Sequence, residues 1–204
     1  MKQMGRPRSF DRAQAIEDAM RLFWKYGYDA TSLSQLKAHI GAGITAPSFY
    51  AAFGSKEALF KEVVERYMAT HGRVNDPLFD QALAPREAIR SALKRSARMQ
   101  CDENNPKGCL VALGTQASCA STDANVLKPL YDARARTRAG FLSCVERGLS
   151  SGELRADTDA QALAAVFESF LLGISPMARD GVPLLVIDRA IDHLMKLWDA
   201  NSGL

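Results

Sequence analysis

Apolar residues recur at helical rather than alternating intervals in nearly every segment of this chain long enough to show a period. Residues 11–26 set the pattern, with Ala15, Ile16, Ala19, Met20, Phe23 and Trp24 on one broad face. Asp11 followed three positions later by Gln14 has the form of an N-terminal capping box, and Gly27 is a natural stop. An all-α fold is the expectation.

A short helix over about 33–40, capped by Thr31 or Ser32, would bury Leu33, Leu36 and Ile40, and the Gly-Ala-Gly at 41–43 must break it. Thr45 is placed to cap the next helix, with Pro47 in the first turn, where its missing N–H is not needed. Phe49 and Phe53 would face inward together, and Gly54 would end the helix. Another helix starts near Ser55, with Leu59, Phe60, Val63, Val64 and Tyr67 on its packed side. After a loop from His71 to Pro77, helices are expected over about 86–102, 107–121, 123–150, 158–175 and 183–200.

With 47% hydrophobic and 24% charged residues, the chain has the composition of an ordinary globular protein. The sequence shows no apolar run of about 20 residues and no secretory leader, so a cytoplasmic protein without a membrane span is expected. Cys101, Cys109, Cys119 and Cys144 are irregularly spaced and are read as thiols.

Two short helices about a glycine turn, the second opening on small polar residues, have the form of a helix-turn-helix. Residues 1–70 hold 10 basic and 7 acidic side chains, whereas residues 71–204 hold 16 of each, so the net charge of +3 sits beside this element. Neutralisation of DNA phosphates would use that charge. Arg6 and Arg8, in Gly5-Arg-Pro-Arg8, form an extended arm suited to a narrow minor groove.

The strings Gly27-Tyr-Asp-Ala-Thr-Ser32 and Phe49-Tyr-Ala-Ala-Phe-Gly-Ser-Lys-Glu-Ala-Leu59 strongly resemble the TetR/AcrR family of bacterial transcriptional regulators. The resemblance is close over about residues 9–66. It implies phosphate contacts from Thr31 or Ser32, Tyr50 and Lys56, and base or groove-edge contacts from Thr45, Ala46 and Ser48. Two departures stand out: the stretch from Thr31 to Tyr50 is about two residues longer than the family's usual spacing, and alanine occupies positions 46, 51 and 52. The recognition helix therefore offers few long side chains to bases, which shifts sequence preference toward the arm arginines.

The division expected is a basic arm (1–8), a helix-turn-helix domain (9–54), a connecting helix (55–72) and a ligand-binding and dimerisation domain (73–204). The last two helices carry clear stripes: Leu163, Val166, Phe167, Phe170, Leu171 and Ile174, then Ile187, Ile191, Leu194 and Trp198. Periodicity leaves core and self-association equally open; the resemblance implies a homodimer built on Phe167, Phe170, Leu171, Ile174, Ile187, Ile191, Leu194 and Trp198. Two recognition helices would then read a pseudo-palindromic operator of double-stranded DNA.

The family also implies a small-molecule effector, with candidate contacts at Met99, Cys109, Leu113, Gln116, Tyr131, Arg134, Phe141, Phe167 and Phe170. An alternative is redox or electrophile sensing by Cys109, which follows Lys107 at an expected helix start, where the dipole would favour thiolate. No Ser/His/Asp set, phosphate loop or metal motif is present, and His39, His71 and His193 are scattered. Neither an enzyme nor a bound cofactor or metal is expected.

Overall fold

The computed structural model describes residues 10–115 and 124–203, and they form an all-helical protein. Its α-helices are α1 (Arg12–Tyr26), α2 (Leu33–His39), α3 (Ala46–Phe53), α4 (Lys56–Ala69), α5 (Pro85–Cys101), α6 (Leu110–Gly114), α7 (Ala124–Ser150), α8 (Ala160–Arg179) and α9 (Leu184–Ala200). The expected boundaries mostly agree, with two differences. The segment read as a loop is a 3-10 helix, His71–Phe79, packed against α5. Leu110 rather than residue 107 opens α6, because Gly108 adopts φ +88° and bonds back to the Gln100 carbonyl at 3.0 Å. The far end of that expected helix lies outside the described residues.

Two cores result. The first joins α1–α4 to α6 and the start of α7 through Phe23, Trp24, Leu36, Phe49, Phe60, Tyr67, Leu110 and Leu130. Its continuity means that the N-terminal helices are packed onto the rest of the chain through α4 and α6. The second core is formed by α5, α7, α8 and α9 around Ile89, Phe141, Phe167, Ile191 and Trp198. Arg86 and Lys94 of α5 tie its outer edge to Asp199 and Asp192 of α9, at 2.8 Å and 2.9 Å.

The 20-residue α8 is long and apolar enough to cross a membrane by length and composition, although Glu168 and Ser169 interrupt its apolar residues. Its inner side, including Phe167 and Ile174, is core, and its Glu168 carboxylate accepts from Arg138 at 2.8 Å. Its outer side keeps Val166 exposed.

Candidate DNA-binding head and cavity

Local capping chemistry builds the head. The Ser32 hydroxyl accepts from the Gln35 N–H, while the Gln35 side chain accepts from the Ser32 N–H, a complete capping box that starts α2. Thr31, the other expected cap, is fully buried and donates its hydroxyl to the Gly27 carbonyl at 2.7 Å. A side chain so occupied cannot reach a phosphate, so of the pair only Ser32 remains available.

The additional residues between α2 and α3 are absorbed by a 3-10 turn, Ile40–Ala42, with Gly41 at φ +57° and Gly43 at φ +94°. A Cβ at Gly41 would come within 3.0 Å of the Phe10 ring, so this turn also needs glycine for closeness.

Thr45 caps α3 by accepting from the Ser48 N–H, and Pro47 sits in the first turn. Phe49 and Phe53 are buried, with rings 5.5 Å apart, which anchors one side of α3. The other side presents Thr45, Ser48 and Tyr50 to solvent, with Ala46 half-buried. Lys56 begins α4 with its ammonium 4.2 Å from the centre of the Tyr28 ring. Partial burial lowers the Lys56 pKa, opposed by the Asp29 carboxylate, and the Tyr28 phenol is pushed up to about 12 by burial, Glu57 and Asp29. Tyr28 was not anticipated as a partner of Lys56; only its place in the family string could have suggested it. Arg6 and Arg8 lie outside the described residues.

Two ion pairs hold α1 to α4, Arg12 with Glu62 at 2.7 Å and Arg66 with Glu17 at 2.5 Å. At its other end, α4 delivers Tyr67 and Met68 to the wall of a cavity of about 40 Å³. Asn75 of the 3-10 helix, Ser96, Met99 and Gln100 of α5, Cys109, and Val111 of α6 continue the wall. Arg134 and Thr137 of α7 and Glu168, Leu171 and Leu172 of α8 complete it.

Of the expected effector contacts, the structure brings together Met99, Cys109 and Arg134 at this cavity. Leu113, Tyr131, Phe141, Phe167 and Phe170 are not on its wall, and Gln116 lies outside the described residues. Phe141 and Phe167 instead stack in the second core with ring centres 6.5 Å apart, while Tyr131 is exposed. Asn75 was missed because its segment reads as a loop.

Most of the residues expected at the interface are turned inward within this chain. Phe167, Ile174, Ile187, Ile191 and Trp198 are fully or almost fully buried within their own chain, and Leu171 belongs to the cavity wall. Phe170 and Leu194 are half-buried against the second core. The large apolar side chains left outside on α8 and α9 are Val166, Leu185, Val186 and Leu197.

The Lys107 ammonium donates to the Cys101 carbonyl at 2.6 Å, and the described part of α6 is only 5 residues long. Cys109 instead accepts from the Tyr67 hydroxyl at 3.4 Å, and its own N–H donates to Ser175 Oγ at 3.2 Å. Ser175 in turn donates to Gln100, which donates to Ser96, forming a buried chain that ties Cys109 to α5 and α8. Tyr67 is driven well above the usual phenol range by burial and by Cys109. Burial also raises Cys101 and pushes Cys144 to about 11. Cys119 lies outside the described residues.

A capped, half-exposed α3 on a small aromatic core, continued by a helix into a larger helical body, matches known proteins at both ends. Residues 15–63 match the model for bacterial regulatory proteins of the tetR family, and residues 69–194 match a tetracyclin repressor-like C-terminal domain. The chain belongs to the TetR family.

It is thus a helix-turn-helix, DNA-binding transcription regulator by family. TetR-family relatives include the HTH-type transcriptional repressor ComR of Escherichia coli (strain K12), 34% identical over 97% of this chain and 93% of ComR. The HTH-type transcriptional repressor BdcR of the same organism is 32% identical, over 72% of this chain and 81% of BdcR. Among solved structures, a cysteine mutant of the TetR-family regulator CifR, complexed with 26-base-pair double-strand operator DNA, is 36% identical with a TM-score of 0.84. That match covers 95% of this chain and 100% of CifR.

Proposed function

We propose that this protein is a homodimeric repressor, acting in the cytoplasm on a pseudo-palindromic operator and released when a small molecule occupies the cavity. The observation that carries the reading is the course of α4. It begins at Lys56, three residues after the end of α3, and 11 and 12 residues further on has Tyr67 and Met68 in the cavity wall. At about 1.5 Å per residue, one rigid element of roughly 20 Å joins the DNA-facing end to the ligand-facing end.

Ser32, Tyr50 and Lys56 would hold phosphates, while Thr45, Ala46 and Ser48 would meet the groove and Arg6 and Arg8 the flanking minor groove. Val166, Leu185, Val186 and Leu197 support a self-association surface of α8 and α9, because four large apolar side chains on adjacent helices otherwise remain in water. Such a dimer closes by two-fold symmetry and spaces its reading heads for half-sites about 34–36 Å apart, or at a related spacing.

Footprinting on genomic fragments, combined with sedimentation, tests this reading. The expected result is one protected inverted repeat bound by a species of twice the monomer mass. A protein that stays monomeric, or protects no symmetric site, overturns it.

The second reading, thiol sensing, rests on the position of Cys109 on the cavity wall. If it holds, Cys109→Ser abolishes operator release by a thiol-alkylating reagent while leaving operator affinity unchanged.

A further inference from the structure

Two residues of the cavity wall each carry a buried polar atom with no hydrogen-bond partner among the described residues, Asn75 Oδ1 and Arg134 Nε. The orientation of the Asn75 amide is fixed by its neighbour. Thr137 spends its hydroxyl proton on the Ala133 carbonyl at 3.1 Å, so at 3.4 Å from Asn75 it can only accept, and the Asn75 nitrogen must face it. The oxygen of Asn75 is therefore left as an unfilled acceptor. Arg134 donates through Nη1 to Thr115 at 2.9 Å, which leaves Nε–H as an unfilled donor. Leaving both groups buried and unpaired is unfavourable, which favours an occupant of the cavity that supplies both partners.

Charge narrows the occupant. A carboxylate could accept from Arg134 but would face the Asn75 oxygen and the Glu168 carboxylate, which also lines the cavity. An ammonium could donate to Asn75, but it would meet the Arg134 guanidinium, and the Glu168 carboxylate that would attract it is already paired with Arg138. Much of the rest of the wall, including Met68, Met99, Val111 and Leu171, is apolar, and the polar groups of Tyr67, Ser96, Gln100 and Thr137 are engaged in hydrogen bonds within the protein. About 40 Å³ admits only a few non-hydrogen atoms, with flexible Met68 and Met99 able to yield further room.

Resting on the reading of this cavity as the effector site, we infer that it takes a small uncharged molecule whose single polar group both donates and accepts a hydrogen bond, as an alcohol or primary amide does, on a short apolar body. Asn75 and Arg134 recognise the polar group, and the methionines enclose the body.

The test uses the full-length protein labelled at its methionine methyl groups, titrated with four probes of similar size: 1-butanol, butyramide, butyrate and butylammonium. The alcohol and amide should shift the Met68 and Met99 signals saturably, with affinity at least about tenfold above either ion, the order expected for one unmet buried hydrogen bond. Asn75→Asp should reverse the order in favour of butylammonium, and Arg134→Met should weaken butyramide without altering the circular dichroism of the fold. Butyrate or butylammonium binding as tightly as the neutral probes overturns the inference. So does the absence of any saturable shift, which would mean that water alone fills the site. Operator binding by the ligand-free protein is measured on the same sample. If it persists while the probe order fails, only the ligand class is rejected; if no symmetric DNA site is bound, the regulator reading fails.

Discussion

The indole N–H of Trp24 donates to the carbonyl of Gly108 at 3.0 Å, joining α1 to the turn that precedes Cys109. The next residue along that turn, Cys109, accepts from Tyr67 of α4, and the Trp24 and Tyr67 rings meet edge to face at 4.9 Å. Arg179, at the end of α8, closes the same seam by donating to the carbonyls of Trp24 and Lys107. Both helices that carry the head, α1 and α4, are thus bonded to adjacent residues at the cavity edge. This is a physical route by which a change at Gly108 or Cys109 would reach the head.

Trp24→Phe keeps a ring in the seam but leaves the Gly108 carbonyl without its donor. Stability should fall by about 2 kcal/mol, read from the denaturant midpoint, with affinity for the operator in the absence of ligand changed little. A midpoint equal to wild type would show that the bond does not contribute.

Thr31 and Ser32 should separate by kind of loss. Thr31→Val removes a buried donor and should cost about 1 kcal/mol of stability, with an unchanged salt dependence of DNA binding. Ser32→Ala should also cost about 1 kcal/mol through the lost cap, and should additionally reduce operator affinity. An equal effect of both variants on the salt dependence would contradict the burial of Thr31.

Removing the Lys56 ammonium should weaken binding to all DNA sequences by a similar factor. In Lys56→Ala, the slope of log affinity against log salt should fall by about 0.9, the contribution of one neutralised phosphate. Altered base preference at a constant slope would assign Lys56 to a base instead.

For the self-association surface, Leu185→Glu with Leu197→Glu should yield a folded monomer, since both side chains are already exposed. Phe167→Glu should unfold the second core. Sedimentation and circular dichroism distinguish the two outcomes, and a dimeric double variant would place the interface elsewhere.

His71 gives a pH dependence with a definite sign. Its ring packs against Trp24 and Tyr67, and burial lowers its pKa below the ordinary 6.5. The unfolded chain then binds the proton more readily than the folded one. The stability associated with neutral His71 is fully present above 6.5 and is lost as the pH falls from there through the lowered folded value. His71→Gln should flatten Tm against pH in that window.

The helical class, the cap residues Asp11 of α1 and Thr45 of α3, the inward pair Phe49 and Phe53, and the family are legible in the sequence, although the Gln14 side chain turns to Asp18 and does not complete the box expected with Asp11. These are local properties: apolar spacing, cap chemistry and a short motif act over a few residues and are written contiguously. Tertiary structure alone decided which side of each apolar stripe is core. Phe167, Ile191 and Trp198 repeat at the same intervals as an interface would, but their burial depends on α5 and α7 closing over them. The same holds for Thr31, whose hydroxyl turns inward to Gly27, and for the cavity, where residues from Tyr67 to Leu172 converge. Periodicity specifies a face, whereas only long-range packing specifies what covers it and which polar atoms are left without a partner.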